Sequence, residues 1–281
     1  MEIVSVIITT HNRSKQLINA IESVLKQTYK MLEIIVVDDC SKDNTYTVMQ
    51  SYLEEFSNIQ YIQLKVPSGA NVARNQGIMV SKGSYITGLD DDDTMMTTRI
   101  STMMKYLKDD YAFVCTEVYY QITKDFRKRK NFKEYITLND MLYYNHAGNQ
   151  VLAKKESFIK AGLYDESIVA AQDYDMWLRL ILDKPKAYCV QEALMTIDHL
   201  DTHLRITTSK NKIKGYIQVY NKYKHLYSKQ QRKSKLLRLL KLREKDISIE
   251  RIFQLATFHD YKSVIMIAIK SFNTKSSKHD I

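Results

Sequence analysis

Between residues 3 and 93, short β-branched runs alternate with segments of helical period, and each run ends in a polar cluster. Ile3–Thr9 and Glu33–Val37 read as strands buried on both faces, because their apolar residues are continuous rather than alternating. Ile59–Leu64 and Ser84–Leu89 are the third and fourth strands of the series. Asn12 or Ser14 is expected to cap a helix through about Gln27, with Leu17, Ile18, Ile21, Val24 and Leu25 on one face. Asp43 or Asn44 opens a second helix to about Phe56, and Gly69 leads to a third with Val72, Ala73, Gln76 and Val80. This alternation predicts an α/β architecture, a parallel sheet with right-handed crossovers. Such sheets bind ligands at the carboxyl ends of their strands. Those ends are Thr9–Arg13, Asp38–Asp39 and Asp90–Asp93, so three polar clusters converge on one edge.

Beyond Thr94 the pattern loosens. Arg99–Leu107, Val151–Leu163 and Asp173–Leu182 read as helices, Tyr111–Ile122 as a strand, and the basic stretch Lys124–Lys133 as a loop. With 281 residues, 44% of them apolar, the chain can bury a sizeable core. Seven Gly and two Pro exclude collagen-like and wholly disordered classes. Cys40, Cys115 and Cys189 lie far apart without a CxxC pair, so free thiols and a reducing compartment are expected. No apolar run approaches the roughly 20 residues of a membrane span, and the N-terminal run does not read as a signal peptide.

The net charge of +10 is unevenly placed. Ile206–Ile281 holds 18 Lys and Arg against 5 Asp and Glu, a net of +13, whereas the preceding residues carry −3. A nucleic-acid-binding domain more often carries its charge on the folded body, and no helix-turn-helix, RRM or zinc pattern is present. No nucleic-acid partner is expected. The basic tail reads as mostly helical, with Leu236, Leu239 and Leu240 near one face of Arg232–Lys245 and Arg238 and Lys241 opposite.

The run Asp90-Asp91-Asp92-Asp93 is the strongest local signal. Adjacent carboxylates at a strand end repel one another unless a cation offsets them. Side chains two apart on an extended segment share a side, so Asp90 and Asp92 can flank one divalent ion. Oxygen ligands suit Mg2+ or Mn2+, which are often held by one or two carboxylates plus substrate phosphates.

Four segments in order, Val4–Arg13, Glu33–Thr45, Gly69–Ile78 and Gly83–Asp93, resemble the motif series of family 2 glycosyltransferases. A fifth, Ala171–Leu180, resembles that family's later acidic motif. The resemblance covers roughly residues 3 to 205. It implies a GT-A-type fold: a mostly parallel central sheet with flanking helices, a Rossmann-like nucleotide-binding half over 1–93 and an acceptor half over 94–205. A basic helical C-terminal region, 206–281, follows. The implied activity is inverting transfer of a hexose from a UDP-sugar to a hydroxyl.

By motif, Thr9, His11 and Arg13 fall in the first nucleotide-contacting loop. His11 stands where an aromatic ring often stacks on the base. Asp39 would accept a hydrogen bond from the base, Asp91 or Asp90 would bind the ribose, and Asp92 would ligate the metal, Mn2+ or Mg2+. Arg74 matches a basic site near the donor. Asp173 is the expected general base, with Asp175 as its rival. The family often has Glu-Asp at Gln172-Asp173, and the change removes a helper rather than the base. His199, followed by His203 and Arg205, is a candidate to complete the metal site.

The same resemblance points to enzymes of O-antigen or capsule assembly. The acceptor would be a polyprenyl-diphosphate-linked saccharide, with a β-1,3-linked galactose or glucose on GlcNAc as one product. The tail would hold the protein on the anionic cytoplasmic face of a bacterial inner membrane. A nucleotidyltransferase is the rival enzyme class, but it usually carries a Gly-rich basic phosphate loop where this chain has Thr-Thr-His-Asn-Arg.

Overall fold

The computed structural model describes residues 2–121, 126–129, 133–198, 209–242 and 254. In chain order the first elements are β1 (Val4–Thr10), α1 (Ser14–Leu25), β2 (Leu32–Asp38), α2 (Thr45–Glu55), β3 (Ile59–Gln63), α3 (Ala70–Val80) and β4 (Tyr85–Asp90). Then come β5 (Thr94–Met95), α4 (Arg99–Tyr106), β6 (Val114–Gln121), β7 (Phe126–Arg129), β8 (Tyr135–Thr137) and α5 (Leu138–Tyr143). The last are β9 (Leu152–Lys154), α6 (Lys155–Lys160), α7 (Gln172–Asp183), β10 (Lys186–Asp198), α8 (Ser209–Tyr223) and α9 (Lys229–Leu242).

The strands form one sheet in the order β3-β2-β1-β4-β9-β6-β10-β5, with β7 paired to β6 and β8 to β10. The first four strands are parallel throughout. Beyond β4 the sheet is mixed, because β9 runs antiparallel to both β4 and β6. The continuous apolar runs of β1 and β2 follow from burial on both faces. Val4, Val6 and Ile8 join Leu17, Ile21 and Val24 of α1 in one core cluster. Ile7 points the other way, to α3, where a Cβ on Gly77 would stand 2.6 Å from the Ile7 methyl. The glycine lets helix and strand approach.

Three local expectations are corrected. Neither Asn12 nor Ser14 caps α1, whose N-cap position is Arg13. Instead the Asp43 carboxylate, from across the loop, accepts the Ser14 N–H at 3.0 Å and also the N–H and the hydroxyl of Thr45 at the start of α2. The helix expected from Val151 is a three-residue strand followed by the short α6, a strand too brief to show a period. The stretch expected as a loop holds β7, which pairs antiparallel with β6.

The chain divides into two compact units. The first comprises Met1–Met141, Asn145–Ser167 and Gln172–Arg205. The second comprises Leu142–Tyr144, Ile168–Ala171 and Ile206–Ile281. Within the second, Val219, Tyr223, Tyr227 and Leu237 are buried. Gly215 lies so close to Ala170 that a Cβ would meet its carbonyl oxygen at 2.2 Å. Leu236, expected on the apolar face, is 42% exposed, and Leu237 is the buried residue. Among the described residues no helix is long and apolar enough to cross a membrane.

Candidate active site

The three polar clusters do meet at one edge, and the loops that carry them lock one another. Asn12 and Cys40 both take left-handed backbone, with φ of 55° and 63°, a conformation that non-glycine residues keep only under surrounding constraint. The constraint is visible: the Asn12 side-chain carbonyl accepts the Lys42 N–H at 2.7 Å, and the Asn12 N–H donates to the Ser41 hydroxyl at 2.8 Å. The His11 ring is fixed between neighbours. Its Nδ1 meets the Asp39 carbonyl at 2.6 Å and its Nε2 meets the Asn12 amide nitrogen at 2.9 Å. A carbonyl only accepts, so Nδ1 carries the proton and Nε2 accepts from Asn12. The Asp39 carboxylate accepts the Ser68 and Gly69 N–H groups at 2.5 and 2.8 Å, which ties the β2 end to the entrance of α3.

The four aspartates are not equivalent. Asp91 is turned inward: Thr10 Oγ1 donates to one oxygen at 2.8 Å and Arg13 to the other at 3.0 Å. The same Arg13 nitrogen reaches Asp92 at 2.9 Å. The Asp91 side chain is 6% exposed, against 26% for Asp90 and 34% for Asp92. Burial lifts the Asp91 carboxyl to about 6, with Arg13 pulling it back. Burial also lifts Asp92, helped by Asp90. Burial raises Asp93 well above the usual carboxylate range. One Asp93 oxygen accepts the Asp198 N–H at 3.2 Å, and the other is enclosed without a partner. The two more open carboxylates are Asp90 and Asp92, but the extended segment expected to pair them is corrected: β4 ends at Asp90, and the Asp93 N–H closes a turn onto the Asp90 carbonyl at 3.0 Å.

Arg74 joins this edge to α7. It lies on α3, is buried, and donates from Nη2 to Asp90 Oδ1 at 2.9 Å. Its guanidinium lies 5.5 Å from the Tyr164 ring centroid. Desolvation opposes its charge, but Asp173 and then Asp90 outweigh that and raise its pKa. Asp173 sits in the first turn of α7, where the helix dipole favours an anion. Its Oδ1 is enclosed with no hydrogen-bond partner, and so is Arg74 Nη1. The residue as a whole is only half-buried, so it is the enclosed oxygen that feels the desolvation. That desolvation pushes its carboxyl up to about 7, against the opposing pull of Arg74.

Asp175, the rival, is fully enclosed and spent on Arg179, which reaches it at 2.7 Å and also bonds the Ala161 carbonyl at 2.6 Å. Asp175 braces the fold, and Asp173 is the one with a spare oxygen. Thr9 stands beside Asp90 in the β1–β4 register, but it is Thr10 that bonds the acidic loop. His199, His203 and Arg205 lie outside the described residues. Tyr164, Asn75 and Gln150 went unread in the sequence. Asn75 and Tyr164 exchange side-chain and backbone hydrogen bonds at 2.8 and 2.9 Å, a pairing 89 residues apart that no local pattern announces.

The family model for glycosyl transferase family 2 matches residues 5–162. The chain is 32% identical to WcaA of Escherichia coli K12, a glycosyl transferase named for colanic acid biosynthesis, over 92% of this chain and 95% of that one. It is 31% identical to WfaP of Escherichia coli, over 80% and 87% of the two chains. WfaP is named as a UDP-Glc:α-D-GlcNAc-diphosphoundecaprenol β-1,3-glucosyltransferase. Among solved structures, S. aureus TarS 1-349 in complex with UDP-GlcNAc superposes with a TM-score of 0.68 at 16% identity, covering 92% of this chain and 77% of that one. The mannosyltransferase PcManGT of Pyrobaculum calidifontis, with GDP-Man and Mn2+, gives 0.63 at 13% identity, covering 96% and 81%. The fold is thus that of these glycosyltransferases.

Proposed function

The chain belongs to glycosyl transferase family 2, and we propose that it moves a hexose from a UDP-sugar to a hydroxyl of a lipid-linked saccharide, with inversion at the anomeric carbon. The observation that carries this reading is Arg74: it bonds the donor-side carboxylate Asp90 and shares the electrostatic field of Asp173. Residues 1–93 then form the donor half and 94–205 the acceptor half. His11 and Asp39 hold the base, Thr9 and Arg13 line the first loop, and Asp90 takes the ribose. Asp91 is too enclosed for that last task, and its role is to anchor Arg13.

Mn2+ or Mg2+ fits the residues present. Asp92 offers a partly open carboxylate beside Asp90, and hard oxygen ligands of this kind suit either ion. Among the described residues no three ligating side chains group around one point, so donor diphosphate oxygens would complete the shell, and His199 is a further candidate ligand. When bound, such an ion offsets charge on the leaving diphosphate as a Lewis acid.

Asp173, ionised, takes the proton from the acceptor hydroxyl. The oxygen bonds to the anomeric carbon as that carbon's bond to the diphosphate breaks, and UDP departs. Proton removal of this kind contributes about 10²–10⁴-fold. WfaP's donor and acceptor support a UDP-sugar and a polyprenyl-diphosphate-linked GlcNAc for this chain, in O-antigen or capsule assembly. The test is release of UDP from a panel of nucleotide-sugars with Mn2+, Mg2+ or EDTA, comparing wild type with Asp92→Ala. Metal-dependent release from one donor, lost in the variant, is expected. Silence together with no calorimetric binding of UDP with Mn2+ would remove the donor site.

We assign peripheral contact with an anionic membrane to the second unit, in keeping with work at the cytoplasmic face of a bacterial inner membrane. Eleven Lys and Arg and no acid lie between Ser209 and Leu242. A groove of about 570 Å3 is lined by Tyr220, Tyr227, Leu236 and Leu239 together with Lys229, Arg232 and Lys233. That mix of basic and apolar surface supports an interfacial contact.

A further inference from the structure

We infer that Gln150 is a positioning residue of the donor site: its amide holds the Asp90 carboxylate in the orientation that meets the nucleotide-sugar. The inference rests on Asp90 belonging to that site. Gln150 is buried, at 4% exposure, and its Nε2 donates to Asp90 Oδ1 at 3.1 Å. Arg74 donates to the same oxygen at 2.9 Å. Two donors on Oδ1 fix the carboxylate plane and leave Oδ2 for a ligand. Only the N–H end of an amide can donate to a carboxylate, which settles which way the Gln150 amide faces.

The sequence has made room for this contact. Gly88 lies on β4 two residues before Asp90. A Cβ there would stand 2.1 Å from Gln150 Oε1 and 2.9 Å from its Cδ. Any larger residue at 88 would drive the amide off Asp90. Gln150 is itself held from both sides. Its carbonyl accepts from Arg99 Nη2 at 3.3 Å. Two residues on, Leu152 pairs with Thr87 of β4 and with Val114 of β6. Two residues before, the Gly148 carbonyl accepts Trp177 Nε1 at 3.1 Å, from α7. The segment before β9 therefore ties the Asp90 carboxylate to the helix that carries Asp173. Arg74 offers a charge, whereas Gln150 adds direction without changing the net charge of the cluster. Directional, preorganised contacts of this kind hold a site within the narrow tolerance that group transfer needs.

The test uses full-length enzyme and UDP with Mn2+ as the calorimetric probe, with donor KM and kcat read from nucleotide-sugar hydrolysis. Gln150→Met keeps the volume and loses the N–H donor. It is expected to weaken UDP binding and raise donor KM by about 10–160-fold, the range for one lost bond to a charged group, while kcat changes less and the melting temperature stays near wild type. Gly88→Ala should reproduce that KM rise. Gly88→Ala combined with Gln150→Ala should be no worse than Gly88→Ala alone, because the two changes break the same contact. Asp90→Asn is the control. If Asp90→Asn weakens UDP binding while Gln150→Met leaves it within twofold of wild type, the inference is wrong. If Asp90→Asn changes nothing, Asp90 is not at the donor and the inference falls with it.

Discussion

At the scale of single residues, Asp173 and Asp175 show how two carboxylates two positions apart in sequence meet opposite environments, one with an enclosed oxygen without a hydrogen bond and the other paired to Arg179. Desolvation lifts the Asp173 carboxyl to about 7 from an ordinary 3.8. A general base works ionised, so turnover should climb as pH rises through about 7. The same shift sets a stability trend. The folded chain binds this proton more tightly than the unfolded chain does, so the contribution of Asp173 to stability is full below about pH 4 and is lost as pH rises through about 7. Asp173→Asn should therefore raise the melting temperature at pH 8 by about 2–6 °C, with little gain at pH 5, while lowering transfer by about 10²–10⁴-fold. Scanning calorimetry at both pH values reads the first, and a flat comparison at pH 8 would contradict the burial argument. Asp175→Ala should do the reverse. It strands Arg179, a loss of about 3–5 kcal/mol for a broken buried pair, visible as an earlier urea midpoint with unchanged UDP affinity in the folded fraction. Asp39 was legible as a candidate because motif and strand end coincide there, and Arg74 and Asp173, which lie on helices, only because each falls in a family-like motif. Gln150 was not, because it acts on Asp90 across 60 residues and no local pattern marks a buried amide.

At the scale of elements, the first half of the sheet was legible and the second was not, for a physical reason. β1 and β2 are seven-residue strands closed on both faces, so their residues are continuously apolar. β9 has three residues, and its identity comes from the strands on either side of it. The same dependence on neighbours decides how α3 responds to substitution. Alanine for glycine inside a helix ordinarily stabilises by about 1 kcal/mol. At Gly77 the new methyl would stand 2.6 Å from Ile7 Cγ2 and 3.2 Å from Val37 Cγ2, two side chains locked in the sheet. Overpacking of that kind costs about 1–3 kcal/mol. Gly77→Ala should lower the urea midpoint despite its better helix propensity, and an unchanged or higher midpoint would mean that α3 lifts off β1 without penalty.

At the scale of the whole molecule, the chain segregates its charge: −3 up to Arg205 and +13 beyond it. The sequence displayed that asymmetry but misjudged how the second unit presents it, since Leu236 faces solvent and Leu237 the interior. A basic edge and an exposed leucine make different demands of a surface. Each basic group near an anionic bilayer contributes about 1 kcal/mol and loses it as salt shortens the Debye length from about 10 Å at 0.1 M to about 3 Å at 1 M. Apolar insertion is insensitive to that change. Sedimentation with vesicles containing phosphatidylglycerol should therefore show strong binding at 0.05 M salt and at least tenfold weaker binding at 0.5 M. Neutral phosphatidylcholine vesicles should bind little at either salt. Replacing Lys229, Arg232 and Lys233 together by Gln should flatten the salt dependence, while Leu236→Ser should weaken binding equally at both salts. Donor hydrolysis in the absence of vesicles should respond to none of these changes, because the carboxylates and arginines to which we assign it lie in the first unit. Equal binding to neutral and anionic vesicles would assign the contact to apolar surface alone and leave the charge of the tail without a membrane role.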